Sequence, residues 1–277
     1  MWARTLVDHL AVCSWSLHPD SPDQLIDAMR QIGLAKLQLH LDPLRTNPAW
    51  ADTFTKLRDA GLSLVGGMFT SIGEDYSSLQ SIEATGGIVP NHTWEQNLRN
   101  VQDTLPIARD LGIDYVSFHA GFLPESPDDR RFAVMLHRIR TLCDLWADVG
   151  ITLGMETGQE NADTLLRFLA AADRPNLAIN FDPANMILYN KDDPSAAITK
   201  LVPYIRLCHL KDAIRTRTPG QWGTETPVGT GEVYWDGFFR ELTQFGYNGY
   251  LAIEREAGSQ RIADIRSAMD YVIDLNS

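Results

Sequence analysis

The 277-residue sequence predicts an α/β fold, a single-domain (β/α)8 TIM barrel spanning residues 1–277. Three observations carry that expectation. Short apolar runs alternate with helical segments from one end of the chain to the other. The length suits a barrel of roughly 250 residues, and no shift in composition marks a second domain. Several helical segments close on a glycine just before the next apolar run, where αβ connections place a left-handed cap: Gly33, Gly61, Gly112, Gly150 and Gly246.

The strands read in order as LAVCSWS (10–16), AKLQLHL (35–41), LSLVGGMF (62–69), DYVSFHA (114–120), ITLGME (151–156), LAINFD (177–182), YIRLCHL (204–210) and GYLAIE (249–254). Short apolar runs bounded by Gly, Pro or Asp suit parallel strands buried on both faces. Between them, SPDQLIDAMRQIG opens on a Ser cap with Pro at the first helical position and ends on Gly. TWEQNLRNVQDTLPIARDLG reads as a helix behind a Thr cap, with Pro106 predicting a kink or a break. SPDDRRFAVMLHRIRTLCDLWADVG and NADTLLRFLAAAD repeat the pattern of cap and helical period. WDGFFRELTQFG and RIADIRSAMDYVIDL complete the set. Two connections are long, 71–92 after strand three and 212–233 after strand seven. On the C-terminal rim of a barrel, such loops carry lids and substrate contacts. A doubly wound open sheet would place a Gly-rich phosphate loop after the first strand, and CSWSLHPDSPDQ holds none.

A net charge of −12, spread along the chain, argues against nucleic acid or an anionic membrane as a partner. No stretch reaches about 18 consecutive apolar residues, so no membrane span is expected. MWARTLVDHL lacks the apolar core of a signal peptide. Cys13, Cys143 and Cys208 are widely spaced with no CxxC, which fits buried thiols rather than a disulfide framework or a zinc finger. A cytoplasmic location is the expectation. Self-association into a homo-oligomer is left open.

Four residues stand where strands should end: Glu156 in ITLGMET, Asp182 in LAINFDP, His209 in IRLCHLKD and Glu254 in GYLAIERE. The first three lie about one βα repeat apart. Adjacent parallel strands are about 4.8 Å apart, so one rim would gather three carboxylates and an imidazole. Like charges do not gather without a cation or a shared proton. The expected cofactor is one divalent metal ion held by Glu156, Asp182, His209 and Glu254. The oxygen-rich donor set suits Mn²⁺, Mg²⁺ or Co²⁺, and Zn²⁺ also accepts it. Taken singly, each acid reads more plainly as a helix cap, and Asp182, followed by Pro183, is partly one.

The FHAG, MET, DPANM, HLKD and AIERE segments resemble the xylose isomerase-like barrels over essentially the whole chain, nearest to sugar epimerases related to D-tagatose 3-epimerase. The resemblance implies the same four metal ligands. It also implies that Glu156 and Glu254 flank the sugar and exchange protons with it. An arginine six residues after the metal histidine contacts substrate in that family, and Arg215 holds that place. The epimerases usually carry a histidine three residues after the metal aspartate; here Asn185 stands instead, able to hydrogen-bond but not to act as an acid.

Other candidates come from the residues themselves. His119 closes strand four on the same rim. Lys211 lies two residues past His209, on the same side of an extended strand, and either polarises a carbonyl or pairs with a metal carboxylate. Glu160 and Gln159 can bind hydroxyls, although Glu160 reads nearly as well as a helix start. Trp15 either stacks on a sugar face or fills the barrel. Trp222, read as exposed in a Gly-rich loop, is a lid candidate. His9, His18, His40, His92 and His137 show no pattern that separates them from ordinary surface or core histidines.

The function expected is a metal-dependent isomerase or epimerase of a keto-sugar or polyol derivative, working by glutamate-mediated proton transfer through a metal-stabilised enediolate. The same apparatus can expel a β-hydroxyl, so a sugar or inosose dehydratase is the close alternative. An abasic-site endonuclease ranks lower, on charge and on the shortage of rim histidines. A catalytically silent barrel that binds sugar or protein is the third class.

Overall fold

Strands form where the apolar runs stand. In the computed structural model, which describes residues 6–276, eight parallel strands close in the order β1-β10-β7-β6-β5-β4-β3-β2. They are β1 Leu10–Cys13, β2 Lys36–His40, β3 Ser63–Met68, β4 Tyr115–Phe118, β5 Thr152–Glu156, β6 Leu177–Phe181, β7 Ile205–Leu210 and β10 Tyr250–Ile253. Between the last two, β8 Asp212–Ile214 and β9 Thr224–Thr226 pair as a small antiparallel hairpin. The opening residues 1–5 of the segment read for a leader lie outside the described residues, as does residue 277. No helix among the described residues is long and apolar enough to cross a membrane.

The five glycines that end helices all adopt positive φ, between 67° and 90°. Ser21 caps the helix Pro22–Ile32 by accepting from the Gln24 N–H, and Asn161 caps Ala162–Ala172 in the same way through Thr164. Three local expectations are corrected. The helix leading into β4 starts at Asn91 behind Pro90, so Thr93 lies inside its first turn and its hydroxyl donates to the Pro90 carbonyl. That helix, Asn91–Asp110, runs on through Pro106 without a break. The helix Arg130–Asp148 is capped by Asp129 rather than by Ser126. Strand one also ends earlier than its apolar run, because Ser14–Leu17 turn into a 3-10 helix that carries Trp15.

Two hydrophobic layers follow from the twofold period of the strands. Outward side chains such as Leu10, Val12, Leu153 and Ile179 pack against the helices in the main core. Inside the barrel, Ala11, Cys13, Val65, Tyr115, Ala178, Leu207 and Ala252 form a separate cluster. Tyr115 is the bulk of that floor. A side chain at Gly154 would run into its ring, so the glycine makes room for the tyrosine. Counting upward by twos from this floor reaches Asn180 and Asp182, His209 and Lys211, Glu254, and on β4 Ser117 and His119. The same parity that fills the floor with small apolar groups lifts the polar residues to the C-terminal rim.

The long connection after β7 is built on Asp212. Its buried carboxylate accepts from the backbone N–H groups of Ala213, Gly229, Gly231 and Val233 and from the Trp235 indole. Glu225 on β9 accepts from Arg255 and from the backbone of Glu256 and Ala257, tying the hairpin to the end of β10.

Candidate active site

The ends of β5, β6, β7 and β10 bring Glu156, Asp182, His209 and Glu254 together. Their ligand-capable atoms all lie within 4.8 Å of one another, and each residue is at most 4% exposed. His209 Nδ1 is 3.2 Å from Glu156 Oε1, 3.2 Å from Glu254 Oε2 and 3.7 Å from Asp182 Oδ2.

Each carboxylate is anchored through one oxygen. Asp182 Oδ1 caps the helix Pro183–Leu188, accepting from the N–H groups of Ala184 (2.8 Å) and Asn185 (3.0 Å). Glu156 Oε1 accepts from the Asn185 side-chain amide at 2.9 Å. Glu254 Oε1 accepts from the Trp15 indole at 2.5 Å. The other oxygens, Asp182 Oδ2, Glu156 Oε2 and Glu254 Oε2, are buried and have no hydrogen-bond partner. A buried carboxylate oxygen left so is costly, and three of them at one place call for positive charge. The donor set, three carboxylates and one imidazole, suits a hard or borderline divalent cation. The residues therefore fit the metal that the sequence predicts.

The histidine is prepared for the same role. Gln38 is oriented by donating its amide to Ser117 Oγ (2.8 Å) and the Gly67 carbonyl (3.4 Å). Its Oε1 therefore faces His209 Nε2 at 2.9 Å and accepts the proton there. That leaves Nδ1 as the nitrogen turned toward the carboxylates, where it carries a proton beside them and would give its lone pair to a bound cation. Cys13 also approaches His209 and Glu254 closely enough to join a ligand set, but burial pushes its thiol up to about 12, away from the thiolate a metal ion takes.

Positive side chains hold the acids ionised. Burial alone would raise the Glu254 pKa; Lys211, His209 and the Trp15 hydrogen bond together hold it well below the usual carboxylate range. Burial likewise opposes ionisation of Glu156, and His119 and His209 bring it below the ordinary value. Burial dominates at Asp182 and lifts it to about 6 despite Lys211 and His209. Burial would discharge Lys211, yet Glu254, Glu256 and Asp182 raise it well above its ordinary value. Lys211 Nζ lies 3.1 Å from Glu254 Oε2, 3.8 Å from Asp182 Oδ2 and 2.5 Å from Glu256 Oε2.

A cavity of about 430 Å³ opens onto these residues. Trp15, His119, Asn185 and Glu254 are on its walls, together with Trp222 from the long loop after β7. His119 stands one residue past β4, with Nε2 3.5 Å from Glu156 Oε2, and the carboxylates around it raise its pKa although burial opposes this. Trp222 is half-buried, not exposed as its loop suggested. Its ring packs edge-on against Tyr189 (4.8 Å) and near Tyr76 (6.5 Å), so the two long loops meet over the cavity.

Arg215 is not brought to this cavity. Its guanidinium donates to Asn190 Oδ1 and the Asp192 carbonyl, both 2.7 Å, which braces the loop that follows the helix Pro183–Leu188. Glu160 and Gln159 are buried below the rim and are not on the cavity wall. Glu160 does not begin the next helix; its carboxyl has one unpartnered oxygen, and burial raises its pKa to about 8. Gln159 donates to the Tyr189 hydroxyl.

Three further wall residues were not singled out from the sequence. His40 ends β2 with its Nε2 3.0 Å from Asp42 Oδ2. Asp42 in turn accepts from Thr70 N, Thr70 Oγ1 and Arg45. Glu256 lies two residues beyond Glu254, and its register would have predicted it. Glu74 comes from the long loop after β3. His9 Nδ1 lies against the Gly249 carbonyl, away from this cavity.

A family model described as a xylose isomerase-like TIM barrel matches residues 26–275. Among solved structures, a xylose isomerase domain protein from Planctomyces limnophilus is 30% identical, with a TM-score of 0.85, over 91% of this chain and 92% of that one. A xylose isomerase-like TIM barrel protein from Mycobacterium smegmatis in complex with magnesium is 21% identical, with a TM-score of 0.70, over 92% and 87% of the two chains. The 3-keto-D-glucoside 4-epimerase YcjR from Escherichia coli is 15% identical, with a TM-score of 0.73, over 95% and 98%. The last two share the fold. Among curated proteins, the uncharacterized protein YihM of Escherichia coli K12 is 24% identical over 149 residues, 53% of this chain, and the match spans 45% of that protein's length.

Proposed function

Because the chain belongs to the xylose isomerase-like TIM barrel family, we propose that it is a divalent-metal-dependent isomerase or epimerase of a keto-sugar or polyol derivative. The observation that carries this reading is the convergence of three buried carboxylates and His209, their ligand-capable atoms within 4.8 Å of one another, beside a cavity sized for a small molecule. A magnesium-bound relative of the same fold and an epimerase of the same fold support it.

A divalent cation held by Glu156, Asp182, His209 and Glu254 would polarise a substrate carbonyl and supply charge for the oxyanion that develops on it. The rest is the work of this chain's own side chains. Glu156 and Glu254 each reach His209 Nδ1 at 3.2 Å, and each is fixed through Oε1 by a neutral donor, Asn185 or Trp15. Both are held ionised, so one removes the proton α to the carbonyl and the other returns it, to the opposite face or to the neighbouring carbon. Lys211 balances Glu254 and Glu256. His119, its pKa raised by Glu156 and the other nearby carboxylates, offers a donor to a substrate oxygen. Trp222 and Tyr76 wall the cavity from the two long loops.

Turnover in deuterated water tests this. Metal-loaded protein, screened with free and phosphorylated ketoses, is expected to place deuterium on a carbon next to the carbonyl. Glu254→Gln should abolish that exchange, because an amide is no base. Exchange surviving in Glu254→Gln would remove Glu254 from the mechanism. Loss of water from the substrate in place of isomerisation would move the reading to the dehydratase class.

A further inference from the structure

The cavity at the carboxylate cluster does not end at its own wall. A second chamber of about 440 Å³ adjoins it, and the two share Trp15, His40 and Glu256. The inner chamber alone, at about 430 Å³, already falls in the range of pockets that enclose a drug-sized ligand. A free ketose needs only the inner one. We propose that the substrate is a keto-sugar joined to a second sugar ring, the reacting ring inside and the second ring in the outer chamber. This rests on the keto-sugar reading above and specifies its substrate class.

The partition between the chambers is rigid. Trp15 is fixed by its hydrogen bond to Glu254, so the ring that stands at the inner site also forms the wall of the outer one. His40 is fixed by Asp42, whose carboxylate is itself held by Thr70 and Arg45. A ligand spanning both chambers would pass beside two side chains already held by hydrogen bonds, at little entropic cost to the protein.

The outer walls favour a neutral ring. Trp15, Trp50, Pro19 and Pro43 present flat apolar faces, and His18 and His40 supply polar edges. A sugar ring has that same character, a C–H face bordered by hydroxyls. An anionic group is disfavoured. Glu256 stands on the shared wall, and Arg261 directs its donors to the backbone carbonyls of Gly258 and Glu256.

Calorimetric titration of the metal-loaded protein decides the matter. The probes are fructose, fructose 6-phosphate, and three disaccharides that join glucose to fructose through different linkages: turanose, leucrose and isomaltulose. At least one disaccharide is expected to bind about tenfold tighter than fructose or more. Trp50→Ala should erase that advantage and leave fructose binding within about twofold. Because Trp50 is buried, Pro19→Trp serves as a second variant that fills the outer chamber from its rim, with the same expected result. Disaccharides that bind no better than fructose, or an advantage that survives Pro19→Trp, would overturn the proposal while leaving the keto-sugar reading intact. Preference for fructose 6-phosphate over every disaccharide would overturn it in favour of an anion. Failure of every ketose, single or linked, to bind would overturn the keto-sugar reading and this proposal with it.

Discussion

Asp182 shows how one side chain serves fold and site together. Its Oδ1 caps a helix, and its Oδ2 turns to the cluster without a partner. The cap read from the sequence is observed, and the ligand role belongs to the proposed metal site. Glu156, Asp182, His209 and Glu254 were legible in the sequence because each ends an apolar run. Gln38 was not, because its partners His209 and Ser117 come from strands far away in the chain. Its role predicts that Gln38→Leu will weaken affinity for a divalent ion by about 10- to 100-fold, measured by competition with a chelating dye, while the four ligands stay in place. Glu160 gives a pH-dependent prediction. Its folded pKa of about 8 lies above the ordinary 4.5, so the unfolded chain loses this proton first as pH rises. The stability it allows is therefore full below pH 4.5 and falls between 4.5 and 8. Glu160→Gln should thus gain stability over the parent across that window, by more than about 1 kcal/mol at pH 8. Denaturant melts at pH 4.5 and pH 8 would show it, and an equal difference at both would refute it.

At the scale of elements, all eight strands were readable, since a buried parallel strand is a bounded apolar run and its αβ loop announces itself by glycine. The boundaries erred where side-chain chemistry competes with pattern. Trp15 was assigned to a strand, but the chain turns at Ser14, whose hydroxyl accepts from the His40 N–H. Thr93 was read as a cap, but Pro90 and Asn91 already start that helix. The reach of Arg215 was misplaced, because its loop folds back on Asn190 and Asp192 rather than over the cavity. The barrel floor was invisible in the sequence, since Tyr115 and Gly154 are set against each other only by the register of β4 with β5. Their fit predicts that Gly154→Ala will cost about 1–3 kcal/mol by overpacking. Tyr115→Phe should cost far less, because the hydroxyl it removes has no partner. Chemical denaturation of the two variants checks this, and equal losses would contradict it.

For the molecule as a whole, barrel closure turns spacing in sequence into convergence in space. Consecutive strands β5, β6 and β7 deliver three of the four ligands side by side. The fourth comes from β10, beside β7 in the barrel although the long connection after β7 separates them in the chain. The two long loops then meet above the site through Tyr76, Trp222 and Tyr189. The most direct test of the account is calorimetric titration of chelator-treated protein with Mn²⁺, Mg²⁺, Co²⁺ and Zn²⁺, followed by thermal melts. The account predicts one ion bound per chain and a raised thermal midpoint, because the ion binds the native state alone. Asp182→Asn keeps an oxygen to cap its helix but loses the charge, so it should fold and bind the ion far more weakly. No binding by any of the four ions with an unchanged midpoint, or full binding retained in Asp182→Asn, would contradict it.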